Sequence, residues 1–207
     1  MRRLPEKQVH DRAALDRVLD AALVGHVAVV DDGQPYVLPV AVARDGDRLL
    51  LHGSTASRLF RALAAGAPTC LTVTLVDGLV LARSQFESSM HYRSAMVLGR
   101  CTVLEGEEKE RALLVLTEHV MPGRTADARA AAPKELRATT VLALPLVEWS
   151  LKVADGPPDD AEDDLDRPVW AGTVPLQRTW GVPVPAPDLR VEAPVPGYVS
   201  SWPSDRG

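Results

Sequence analysis

Aromatic residues make up only 4% of this 207-residue chain, so its core must be built mainly from aliphatic side chains. Two cysteines, Cys70 and Cys101, exclude a disulfide scaffold. Both sit in apolar strand-like runs with no metal spacing, and they read as buried free thiols. No apolar run approaches the length of a membrane span, so no membrane partner is expected. Positive charge is not in excess either. The formal net charge is −5, which argues against a nucleic-acid surface. The opening MRRLPEKQVHDR is basic, but no apolar segment follows it, so it does not read as a signal peptide and the expected compartment is the cytoplasm.

Catalytic signatures are also missing. There is no GxGxxG fingerprint, no phosphate-binding P-loop and no G-x-S-x-G elbow. His26, His52, His91 and His119 are not at metal-ligand spacing, and no metal site is expected. Glu87 beside Ser88 and Ser89 does not make a triad, because sequence neighbours do not supply triad geometry.

What is present is a β-rich pattern. Asp11 caps a helix over 11–23, marked by Leu15, Val18, Leu19 and Ala22. Strands follow at 26–30, 35–43 and 48–52, joined by turns containing Asp32-Gly33 and Asp45-Gly46, which makes an antiparallel meander. Pro39 lies inside the second strand. Proline cannot donate to a ladder, so this is an edge, a bulge, or a place where something other than a strand lies alongside. A helix from Arg58 buries Leu59, Phe60 and Leu63. Further strands are expected at 69–76 and 79–83, turned by Asp77-Gly78, then at 92–104, bent at Gly99, and at 139–153 across Pro145. A helix covers 105–120. The fold class is mainly β with inserted helices, a barrel of about seven strands. The barrel domain takes residues 1–155. Residues 156–207, rich in proline and holding three of the four Trp, read as an arm packed on the barrel or on a partner subunit.

Two stretches could carry chemistry. In LHGSTASR, residues 51–58, a strand ends in small hydroxyl residues and feeds a helix start beside an arginine. Such a junction leaves N–H groups for an anion, most simply a phosphate, although the same residues serve as a plain helix cap with a solvated arginine. In SSMHYRSAMVLGR, residues 88–100, Arg93 again stands beside a serine in a strand. Arginine's planar fork suits phosphate oxygens, and in a barrel two such strand ends can converge on one ligand.

The order helix, HVAVV, PYVLPVAVA, LLLHG, SxxSR turn and helix, TCLTV, then SSMHYRSAMVLGR resembles the pyridoxamine 5′-phosphate oxidase-like FMN-binding split-barrel family, closest to its nitroimidazole-resistance-type branch. The resemblance covers about residues 10–155. It implies an antiparallel split β-barrel and a homodimer with FMN at the subunit interface. It places Ser57 and Arg58 on the phosphate, His52 and Gly53 at the strand end beside the flavin, and Leu38, Pro39 and Val40 along the ring. Tyr92, Arg93 and Ser94 match the strand reaching the phosphate and ring edge. Trp149 and Trp170 are candidates for a partner's contribution. The C-terminal Trp- and Arg-containing segment of true pyridoxamine phosphate oxidases has no match here, and their basic residue on the second strand falls near Leu38. The implied activity is therefore reduction of a small-molecule substrate with electrons from NAD(P)H, not vitamin B6 oxidation. The alternative is a non-catalytic flavin, deazaflavin or haem protein of the same fold, with His52, His91 or His119 as the axial ligand a haem would need.

Overall fold

A computed structural model describes residues 8–191 and 193–202; the basic opening segment Met1–Lys7, read above as no signal peptide, lies outside the described residues, as do Glu192 and the last five residues of the arm. In chain order the elements are β1 (Gln8–Val9), α1 (Arg12–Ala21), β2 (Val24–Asp31), β3 (Gln34–Asp45), β4 (Arg48–Ser54) and α2 (Arg58–Ala64). Then come β5 (Pro68–Leu81), β6 (Ser89–Arg100), β7 (Thr102–Val103), α3 (Gly106–Val120), α4 (Arg124–Asp127) and α5 (Pro133–Ala138). The chain ends with β8 (Thr139–Pro145), β9 (Glu148–Ala154), β10 (Gly172–Pro175) and α6 (Gly197–Ser200). The strands form one antiparallel sheet in the order β1-β9-β6-β5-β2-β3-β4-β8-β7, with β10 added to β5. It curls into a split barrel. Among the described residues no helix is long and apolar enough to cross a membrane.

Local signals place the first half. Asp11 caps α1 by accepting from the Ala13 N–H at 2.9 Å. Asp32 and Gly33 both have positive φ, 50° and 76°, as a two-residue turn matched to strand twist requires. The run Leu49-Leu50-Leu51 does not alternate, because both faces of β4 are covered. Leu49 and Leu51 enter the barrel core with Leu15, Leu71 and Leu142, while Leu50 enters a second cluster with Val141, Leu104 and Leu116 under α3. All three leucines are fully buried, each worth roughly 1.5–3 kcal/mol.

Three expectations are corrected by tertiary pairing. Asp77-Gly78 is not a turn. β5 runs through it as one 14-residue strand with a bulge between Val76 and Gly78, because β6 pairs along one edge and β10 along the other. Gly78 is needed for this docking, since a Cβ there would lie 2.6 Å from the Val174 carbonyl oxygen. The strand expected over 92–104 breaks at Cys101 into β6 and β7, which pair with β5 and β8 respectively. The strand expected across Pro145 is also two. β8 pairs with β4, and after the corner at Leu146 and Val147, β9 pairs with β6 on the far side of the sheet.

The arm lies along the barrel. Asp160 is buried and accepts from the Arg83 backbone N–H at 2.6 Å and from its guanidinium at 2.9 Å. Trp202 donates Nε1–H to the Pro122 carbonyl at 3.0 Å. Trp170 and Trp180 remain 65% and 46% exposed in the protomer.

Candidate functional site

The barrel is split between β3 and β4. Their ladder covers only Val42–Asp45 against Leu51–Arg48, so Gln34–Ala41 has no strand on that edge. The two-residue turn makes Asp31 and Gln34 a hydrogen-bonded pair, and alternation then makes Val30–Pro35 and His26–Pro39 non-hydrogen-bonded pairs. Both prolines therefore direct their missing donor toward the open edge and cost β2 nothing. The mid-strand Pro39 is explained by the split itself.

One lip of the split carries Leu38, Pro39 and Val40. The other carries His52, Gly53, Ser57 and Arg58, where β4 leaves β3 and turns into α2. Arg58 bridges the lips. Its Nε lies 2.9 Å from Asp31 Oδ2, and its guanidinium stacks 4.5 Å over the centre of the Tyr36 ring. Asp31 and Tyr36 were not singled out from sequence. Both flank the first hairpin turn, and the Tyr36 hydroxyl is buried with no partner among the described residues.

The turn is less open to an anion than its composition suggests. The N–H of Thr55 donates to Ala138, that of Ala56 to Ser54 Oγ, and that of Ser57 to the Ser54 carbonyl. Ser57 is the N-cap of α2, and its hydroxyl makes no capping bond. What this lip offers a phosphate is the Ser57 hydroxyl, the first turn of the short α2, and the Arg58 charge. Gly53 is fixed by packing. A Cβ would come 2.3 Å from the ring of Phe60, which fills the space behind the turn. His52 is exposed but partly desolvated by the surrounding protein, and this lowers its pKa.

Tyr92, Arg93 and Ser94 lie elsewhere. Arg93 is opposite Leu75 on β5, beyond the start of β2, whereas Arg58 meets Asp31 at the end of β2. The register puts them roughly eight residues apart along that strand, on the order of 26 Å of extended chain. The two arginines do not meet within one protomer. Arg93 is held by both oxygens of Asp77, at 2.9 and 2.7 Å, and Ser94 Oγ shares a 3.1 Å hydrogen bond with Thr74. Lys152 Nζ stands 5.5 Å over the Tyr92 ring. Ser88 Oγ accepts from Ala82 and donates to the Ser84 carbonyl, so it closes the β5–β6 turn.

A curled antiparallel sheet split along β3, with a hydroxyl-and-arginine turn on one lip and a proline-blunted edge on the other, defines a split-barrel protein of the flavin-binding type. The chain belongs to the pyridoxamine 5′-phosphate oxidase family, whose model matches residues 11–153. None of the curated protein sequences compared with it is a match. Among solved structures, the FAD and heme binding protein of Mycobacterium smegmatis is 45% identical, with a TM-score of 0.93 over 97% of this chain and 98% of that one. The flavocytochrome Anf3 of Azotobacter vinelandii is 36% identical, with a TM-score of 0.91 over 98% and 95%. A protein assigned to 5-nitroimidazole antibiotic resistance in Bacteroides thetaiotaomicron is 26% identical, with a TM-score of 0.59 over 70% and 86%.

Proposed function

We propose that the protein is a flavin-dependent oxidoreductase that also carries haem, working as a homodimer with NAD(P)H as electron donor and a small molecule as acceptor. The observation that carries this is similarity over the whole chain, arm included, to proteins described as FAD and heme binding and as a flavocytochrome. The first of those descriptions favours FAD over FMN and deazaflavin.

The split fits a flavin. Leu38–Val40 offers a strand edge that no strand occupies, and Ser57 and Arg58 offer a hydroxyl and a cation within reach of a phosphate. Val30 and Val37, 62% and 54% exposed, make an apolar outer face on β2 and β3 that a second copy would cover. Bound flavin supplies hydride acceptance and haem supplies one-electron chemistry. The chain's residues bind, orient and shield these groups.

The test is the visible spectrum of the purified protein, alone and after addition of FAD, FMN and haem, followed by NADH and NADPH. Flavin bands between 370 and 460 nm, on the order of one flavin per chain, and bleaching by a nicotinamide support the reading. Absence of flavin absorption, with no quenching of added flavin fluorescence, overturns it.

A further inference from the structure

The second opening in the sheet is a notch along the edge of β5. β2 pairs with β5 only at Cys70–Thr72 and β10 only at Gly78–Leu81, and the Leu176 N–H donates to the Asp77 carbonyl, so Val73–Val76 has no strand on that edge. A cavity of about 380 Å³ occupies this notch, within the range of cofactor clefts. Leu23, Val24 and Leu75 supply apolar wall. The arm closes the remaining side with Arg178 and Trp180, and Trp180 is braced edge-on by Trp202 at 5.7 Å between ring centres. His26 projects from β2 into the cavity.

His26 is the one histidine lining this space, and its ring makes no hydrogen bond with the described residues. The other four histidines are differently placed, His10 in the link between β1 and α1. His91 Nε2 is 2.7 Å from the Gly156 carbonyl oxygen, and His119 Nε2 is 2.7 Å from that of Ala22. In each, the nitrogen best placed to reach a metal already has a backbone partner. His52 stands on the lip of the split. Arg178 lines the cavity and makes no ion pair with the described residues.

The comparisons separate the arm from the barrel. The family model ends at residue 153, and the nitroimidazole-resistance-type structure covers 70% of the chain, a share comparable to the barrel alone. The proteins described with haem match 97% and 98%, which requires the arm. The arm, which those proteins match and the family model does not, supplies Arg178, Thr179 and Trp180 to the wall of this cavity.

We infer that the notch between β2 and β10 is the haem site, with His26 as axial ligand to the iron and Arg178 as the partner of a propionate. This rests on the haem reading above. An imidazole on an apolar wall is a suitable iron ligand, and guanidinium pairs with carboxylate in a fork. His26 is also the cross-strand neighbour of Pro39, so the notch lies one strand away from the lip that carries Leu38–Val40.

The test titrates the full chain with ferric haem and follows the Soret band. Wild type should saturate at about one haem per chain. His26→Ala should weaken binding by at least roughly tenfold, the loss of even an outer-shell partner being about that large. Added imidazole should restore the wild-type band position, and the far-UV circular dichroism should not change. His26→Tyr, which keeps a ligand, should shift the ferric spectrum to that of phenolate ligation. Arg178→Ala should weaken haem binding by a few-fold, about the worth of one exposed charge pair. No Soret change in wild type overturns the haem reading and this site with it. Wild-type binding that persists unchanged in both His26 variants overturns the site alone.

Discussion

Replacing Arg58 by Ala separates a phosphate ligand from a surface charge. In the free protein the guanidinium is 58% exposed and already held by Asp31 at 2.9 Å. An exposed pair of that kind is worth about 0.2–1 kcal/mol. A charged hydrogen bond to phosphate is worth about 1.5–3 kcal/mol, so exchanging one for the other leaves a net of roughly 0.5–2.8 kcal/mol. At about 1.4 kcal/mol per factor of ten, Arg58→Ala should weaken binding of FMN, the monophosphate probe of the proposed FAD site, by about tenfold, within limits of roughly two- and a hundredfold. Flavin fluorescence quenching measures this directly. Riboflavin, which has the ring but no phosphate, is the internal control, and its affinity should change less than about twofold. Asp31→Ala frees the guanidinium and should strengthen FMN binding by a few-fold without affecting riboflavin, with the gain largest at low salt. In the Arg58→Ala background, loss of Asp31 should have no further effect. Equal loss of FMN and riboflavin would refute the reasoning, since Arg58 would then act through Tyr36 and the shape of the split. Unchanged FMN binding would place the phosphate elsewhere.

Three further outcomes follow from packing and titration. Gly53→Ala drives a methyl into the Phe60 ring and should destabilise by about 1–3 kcal/mol, lowering the calorimetric midpoint by roughly 2–12 °C; Phe60→Leu in the same chain should recover part of it. Burial pushes the Cys101 thiol up to about 12, so the unfolded chain loses this proton near pH ~8.5 while the folded chain keeps it. Stability should therefore fall from about pH 9 toward 12, and urea midpoints should show a shallower fall in Cys101→Ala. Partial desolvation holds the His52 pKa below its ordinary value, so the unfolded chain takes up a proton first as pH falls. That stability is present above about pH 6.5 and lost below it, and His52→Gln should flatten the acid limb; an unchanged limb would show that other groups set it.

The first half of the fold was legible because its instructions are local. Asp11, the Asp32-Gly33 turn, the second turn, which falls on Gly46-Asp47 with Asp45 still in β3, and the β4–α2 junction each act within a few residues. Legibility failed where one signal has two outcomes. Asp77-Gly78 reads as a turn, but with a strand on each edge of β5 the same pair makes a bulge. Pro145 can lie inside a long strand or end one, and only the separate partners of β8 and β9 decide. The site divides in the same way. Pro39, Ser57 and Arg58 carry their own signals, because a donor-less strand position and a hydroxyl-rich helix start have few uses. Asp31 and Tyr36 signal only a hairpin turn until α2 folds back over them. The notch around His26 depends on Arg178 and Trp180, about 150 residues away, and no periodicity announces it.

A closed barrel has no free edges, and a split one must deal with each edge it leaves open. This chain uses two devices. Where β5 extends past β2, the arm adds its own strand, β10, and Gly78 allows the approach. Where β3 extends past β4, nothing is added, and Pro35 and Pro39 remove donors that would recruit another strand. Proline leaves the carbonyl oxygens and the neighbouring N–H groups in place, so the edge remains competent for a flat ligand with polar rims while being poor at pairing with a peptide. The notch beside His26 is the gap left between the two solutions. Both proposed sites thus lie where strands stop, and a residue's role follows from its distance to a strand end more than from its own chemistry. Arg93, in the middle of β6 with β5 and β9 on either side, is held by Asp77. Arg58, one residue past a strand's turn, is held by a partner that a ligand can displace.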